Sequence, residues 1–270
     1  AACVGPTGDA RRPSIEVYRE RLEALDQHEF YQTALVVDRN GVLLAELAPD
    51  GHRTWVPLDE ISPVLAQAVV DTEDRTFYEN PGVDTSAVAR AVIRNAQSGD
   101  TVSGASTITM QLVRLVAFDA EERFEQSLDR KVREAHLAAE VAEKYSKDEI
   151  LEAYLNVAYF GHGAYGAEAA ARTYFGVSAR DLSPNQATLL AGVLQAPSRF
   201  DPLVDLAAAR ERQRVVLASM VETGSLTAAE SAAVWGADPG LVKPPVAPER
   251  RAPHFVDYVL SELPERIGPE

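Results

Sequence analysis

"ERFEQSLDRKVREAHLAAEVAEKYSKDEILEAYLN", residues 122–156, is the stretch that decides the fold. From Leu128 the apolar positions Val132, Ala135, Ala139 and Ala142 recur at three- and four-residue steps, so 122–145 reads as one long amphipathic helix. Ser146 with Glu149 then makes a capping box, in which a hydroxyl and a carboxylate satisfy orphan backbone donors, and a second helix begins at once. Ser183 with Gln186 and Thr227 with Glu230 repeat that signal, and Pro184 takes a first helical position where its missing N–H is harmless. After Ser62-Pro63 the pattern stays helical, so the body is mainly α.

Upstream the period changes. In "TALVVDRNGVLLAEL" (33–47) two β-rich runs flank Asp38-Arg39-Asn40-Gly41, where Asn-Gly supplies the positive φ angles of a tight hairpin. "TWVPL" (54–58) is expected to add a strand to it. Residues 1–30 are polar, with a short helical pattern through Ile15, Leu22 and Leu25, and read as a linker or connecting helix. Pro and Arg thicken in "DPGLVKPPVAPERRAP" (238–253), ahead of a last helical stretch, "HFVDYVLSEL". This gives an N-terminal segment at 1–30, a globular domain at 31–235 and an exit segment at 236–270.

Composition narrows the function. The chain has 270 residues, 46% hydrophobic and 25% charged, with 26 Lys and Arg against 41 Asp and Glu, a net charge of −15. Nucleic-acid binding, which needs a basic surface to displace phosphate counterions, is not expected. The single cysteine, Cys3, leaves neither a disulfide framework nor a Cys-based zinc site. No apolar run approaches the ~18 residues of a membrane span. The five histidines show no metal spacing, and P-loop, His-Glu-x-x-His and Gly-x-Ser-x-Gly motifs are missing from the sequence.

Three segments carry candidate chemistry. Glu73-Asp74 closes an apolar helical run and precedes Phe77 and the breaker pair Pro81-Gly82. Asp74 suits a structural partner, while Glu73, if half buried by Phe77, would have the raised proton affinity that a general base needs. In "SGASTITMQLVR" (103–114) a hydroxyl cluster opens a helix on which Thr107, Met110, Gln111 and Arg114 share one face. That arrangement fits an anion site and fits equally a well-capped core helix. "LDRKVREAH" (128–136) sets Arg130, Lys131 and Arg133 around Glu134, with Arg130 and Glu134 four apart on one face. Such clusters are ordinarily solvated ladders, but in so acidic a chain this block is where phosphate would bind.

Taken in order, "TEDRTFYENPGVD", "SGASTITMQLVR", "RKVRE", "KDEILEAYLNVAYFGHGAYGAEAAARTYFG", "LLAGVLQAPSRFDP" and "ARERQRVVL" resemble the peptidoglycan glycosyltransferase domain of class A penicillin-binding proteins and monofunctional transglycosylases. The likeness covers roughly 31 to 225. It implies a lysozyme-like, two-lobed helical fold with the small hairpin at its start. It also implies an inverting reaction in which the acceptor's 4-hydroxyl displaces undecaprenyl pyrophosphate, joining lipid II to a growing glycan chain. Glu73 matches the family's base and Glu134 its second carboxylate. Ser106, Thr107, Gln111, Arg114, Arg130 and Lys131 match donor-binding positions, Phe77 shapes the base's pocket, Arg212 is the Arg of the last motif, and Asp74 and Asn156 complete the substrate-binding set. The resemblance further implies a divalent cation, Mg²⁺ or Mn²⁺, bridging to pyrophosphate, though no ligand set can be read, and competition by the inhibitor moenomycin. It places the protein on the extracytoplasmic face of the membrane, with its anchor outside this chain and a transpeptidase domain following it.

Asn80 stands where many members have His, Met110 where Gln is common, Gln126 for a phosphate-facing Arg and Gln213 for a second Arg. "TSAVARAVIRNAQ" (85–97), with Val88 and Val92 beside Arg90 and Arg94, suits a surface dipping into lipid headgroups or a plain buried helix. Two other readings stay open: a lysozyme-like hydrolase or lytic enzyme, and a lipid II-binding module without turnover.

Overall fold

The protein is described here from a computed structural model over residues 13–27, 30, 32–48, 51–84, 106–125, 127–243 and 251–267. The stretch expected to meet lipid, with Val88, Arg90, Val92 and Arg94, lies outside those residues, as do Cys3 and Gln126. Two short helices, α1 (Ile15–Leu22) and α2 (Ala24–Gln27), precede an antiparallel hairpin of β1 (Ala34–Val37) and β2 (Leu43–Leu47). Then follow β3 (His52–Arg53), α3 (Pro63–Glu73), α4 (Ile108–Ala117), α5 (Ala120–Arg123), α6 (Leu128–Lys144) and α7 (Lys147–Val157). The chain continues through β4 (Ala164–Tyr165), α8 (Ala167–Phe175), α9 (Pro184–Val193), α10 (Leu206–Thr223), α11 (Ala228–Gly236) and α12 (Pro253–Ile267).

The mainly helical expectation holds, and the three capping boxes open α7, α9 and α11 where the sequence puts them. The hairpin forms too, by a different turn. Only Gly41 takes a positive φ, +80°, while Asp38 Oδ1 accepts from the backbone N–H of Asn40 and Val42 and folds the chain back itself. "TWVPL" adds no strand to it. The strand falls just upstream, at β3, which pairs in parallel with β4 far along the chain.

The single helix expected over 122–145 is two, α5 and α6, divided at Ser127, whose hydroxyl accepts from Arg130 N–H and caps α6. Its buried face is also not the expected one. Val132 is 67% exposed, whereas Arg130, Glu134, Leu137, Ala138 and Val141 face inward. The residues at 15–27 do more than link: Tyr18, Leu22 and Leu25 are buried, and Tyr18 stacks on Phe118 with centroids 4.8 Å apart.

The core forms around two crossings. Helix α4 packs against α1, α6 and α7, and α3 packs against α9 and α10. Leu65, Val69, Phe77, Ile108, Leu112, Leu137, Leu151, Tyr174 and Leu189 join both crossings in one apolar cluster. Where the two meet, the end of α3 faces the polar side of α4.

Candidate active site

Glu73 ends α3, a helix opened by Pro63 at its first position and closed where Asp74 leaves helical geometry. Its carboxylate is largely covered and meets two groups. Gln111 Nε2 donates to Glu73 Oε2 at 3.1 Å, and the Arg212 guanidinium lies 3.6 Å from Oε1. Burial holds the Arg212 guanidinium below its ordinary value, with the Glu73 charge opposing that shift. Arg212 reaches this point because α9 passes under it at Gly192, where a Cβ would sit 3.2 Å from Arg212 Cγ.

Gln111 is held from its other end. The Tyr154 hydroxyl, buried on α7, donates to Gln111 Oε1 at 3.0 Å. Burial and the nearby Glu73 charge raise the phenol's hold on its proton, with Arg114 opposing, so it stays a donor at any working pH.

One turn further along the same face of α4, Arg114 Nε and Nη2 donate to Glu134 Oε1 at 3.2 and 2.8 Å. Arg130 Nη1 takes the other oxygen, and Glu134 is fully buried between the two guanidiniums. A carboxylate removed from water requires such pairing. With two guanidiniums to one carboxylate, the cluster keeps one net positive charge. Arg130 is itself buried, its Nε bonded to Glu125 O and its Nη1 to Glu134. Arg114 is the more open of the pair, and half-buried Lys131 makes no ion pair among the described residues. Arg114 also borders a cavity of about 760 Å³ whose wall includes Arg21, Arg53 and Arg123 and, among the described residues, no carboxylate. Nothing in the sequence marked those three arginines, because they come from three separate segments.

Other expected site residues have structural work. Asp74 is buried; its oxygens accept from Asn80 Nδ2 at 2.9 and 3.1 Å and from Ile108 N–H at 3.1 Å, tying the loop after α3 to the start of α4. Thr107 caps α4 through Met110 N–H and donates to Gly82 O at 2.6 Å. Ser106, half-buried, precedes that cap. Phe77 is a fully buried core ring, with the Tyr78 ring edge-on to it and Lys147 Nζ 4.7 Å from its centroid.

Asn156 was expected to bind substrate and does not fit that role. It is fully buried, and its amide clamps Val56 N–H and C=O and Glu152 C=O, leaving nothing for a ligand. The departures from the family pattern are equally occupied: Asn80 holds Asp74, Met110 is core, and Gln213 joins α10 to α9 through Asn185 C=O and Thr188.

The transglycosylase family model matches residues 40–221. Penicillin-binding protein 2D of Bacillus subtilis is 36% identical over 88% of this chain and 34% of its own length. Penicillin-binding protein 1A of Streptococcus oralis is 38% identical over 78% of this chain and 33% of its own. A crystal structure of penicillin-binding protein 1A from Haemophilus influenzae aligns with 89% of this chain and 25% of that one, at 22% identity and a TM-score of 0.47. The chain thus spans about a third of the length of the first two relatives. The matched region runs through every helix that brings Glu73, Gln111, Arg114, Glu134 and Arg212 together, and on that match this chain belongs to the transglycosylase family.

Proposed function

We propose that the protein polymerises lipid II into β-1,4-linked glycan, releasing undecaprenyl pyrophosphate with inversion at the donor's anomeric carbon. One observation carries the reading: Glu73 and Glu134 are bonded to residues one turn apart on a single face of α4. Displacement at an anomeric carbon needs a base beside the attacking hydroxyl and positive charge beside the departing diphosphate. Glu73 takes the proton of the acceptor's 4-hydroxyl as oxygen bonds to carbon. Across the face, Arg114 and Lys131, backed by the arginine-lined cavity, steady the diphosphate as the carbon–oxygen bond breaks. Glu134 and Arg130 hold Arg114 in place.

Among the described residues no group of three or more His, Cys, Asp or Glu side chains is placed to hold a metal ion. A divalent cation, if the reaction uses one, would neutralise charge on the pyrophosphate, and no step above passes through it. The place of action is the extracytoplasmic membrane face, where lipid II lies; among the described residues no helix is long and apolar enough to cross a membrane.

The test is incubation of the full chain with purified lipid II. Polymer will form with the parent, moenomycin will suppress it, and Glu73→Gln will cut the rate by roughly 100- to 10,000-fold with an unchanged melting curve. Polymerisation by Glu73→Gln at the parental rate would overturn the mechanism. Small muropeptides released from finished glycan would mean a hydrolase, and binding without polymer an inert module.

A further inference from the structure

Among the described residues Arg212 makes no hydrogen bond. Its side chain is 11% exposed, Nε is buried without an acceptor, and its ionic contact with Glu73 Oε1 is 3.6 Å long. Glu73 is lopsided in the same place: Gln111 donates to Oε2, while among the described residues nothing donates to Oε1. We infer that Arg212 binds the acceptor: its guanidinium donates to the hydroxyls flanking the attacking 4-hydroxyl of the acceptor's N-acetylglucosamine, and holds that 4-hydroxyl at Glu73 Oε1.

A covered guanidinium with unmet donors costs the fold free energy, and an oxygen-rich ligand offsets that cost. Packing keeps the group there all the same, because α9 presents Gly192 under Arg212 Cγ. Charge then decides which end of the reaction it serves. The charge acting on Arg212 is that of Glu73, so the two together are neutral. Glu134 takes Arg114 and Arg130 instead, and that cluster keeps its surplus positive charge beside Lys131. A departing diphosphate needs the surplus; a sugar, which is uncharged, needs only donors. The leaving group therefore lies at the crossing of α4 and α6, and the acceptor at the crossing of α3, α9 and α10, with Glu73 at the end of α3 between them. The 3- and 6-hydroxyls are the neighbours of the 4-hydroxyl along the ring, and a planar fork of N–H groups suits two such oxygens.

The inference rests on the polymerase reading, but two titrations of the full chain test it without turnover. One uses the prenyl-free disaccharide-pentapeptide, with the donor end filled by pyrophosphate; the other uses inorganic pyrophosphate alone. Arg212→Met is expected to weaken disaccharide binding about 10-fold or more and to leave pyrophosphate within about twofold, and Lys131→Met to do the reverse. In polymerisation with a glycan-lipid donor held saturating, Arg212→Met should raise the KM for lipid II as acceptor by a similar factor. Arg212→Lys keeps the charge but loses the fork, so it should fall between the two, and it carries the test if Arg212→Met does not fold.

A disaccharide bound as tightly by Arg212→Met as by the parent, or pyrophosphate binding lost in that variant, overturns the inference while leaving the polymerase reading intact. If the titrations behave as stated and the parent makes no polymer, it is the polymerase reading that falls.

Discussion

At the residue scale the sequence announces chemistry but not its division of labour. Glu73 and Asp74 are adjacent carboxylates with opposite surroundings. Glu73 faces an amide and a guanidinium, while Asp74 is buried among bonds that tie a loop to a helix start. Burial raises the Asp74 carboxyl above the ordinary aspartate value of 3.8, with its bonds to Asn80 and Ile108 N–H opposing. The folded protein thus holds that proton more tightly than the open chain does. The resulting stability is fully present below about pH 4 and is lost as pH rises through the raised value. Thermal unfolding of the parent beside Asp74→Asn, from about pH 3.5 to 7, should show the parent losing ground to the variant as pH rises; a constant gap would contradict this. Neighbours in sequence point to different elements, so burial separates two side chains that composition cannot.

At the element scale the legible features are those made within one element. The capping boxes of α7, α9 and α11 were readable because hydroxyl and acceptor lie three residues apart and close on each other locally. The inward face of α6 was not: Leu137, Ala138 and Val141 turn inward together with Arg130 and Glu134, and the Arg114 partner of Glu134 arrives from α4, far off in the chain. Gly192 shows the same limit: mid-helix, nothing local requires it, yet α10 passes close enough there to place Arg212. Alanine would favour the helix by ~0.5–1 kcal/mol but press on Arg212 Cγ. Gly192→Ala is therefore expected to melt within a few degrees of the parent and to polymerise more slowly, by up to ~100-fold if the guanidinium moves about 1 Å. Equal rates with an unshifted Arg212 would show that the helices give way instead.

At the scale of the whole molecule, the N-terminal helices read as a connector and are part of the packed body. Tyr18 is fully buried, stacks on Phe118 and donates to Glu122, and its hydroxyl also receives the Arg133 guanidinium. Tyr18→Ala should cost ~3–5 kcal/mol in denaturant unfolding, as for a large buried ring, whereas a mere connector would lose almost nothing. The sequence by itself determined the mainly helical class, the hairpin and most helix starts, since these follow from periods and caps confined to short stretches. The tertiary structure decided that Glu134 is buried between two arginines, that Asn156 clamps Val56, and that Tyr154 and Gly192 stand behind the partners of Glu73. Those outcomes depend on partners far apart in the chain, and local signals say nothing of which surfaces will meet once water is squeezed from between the helices.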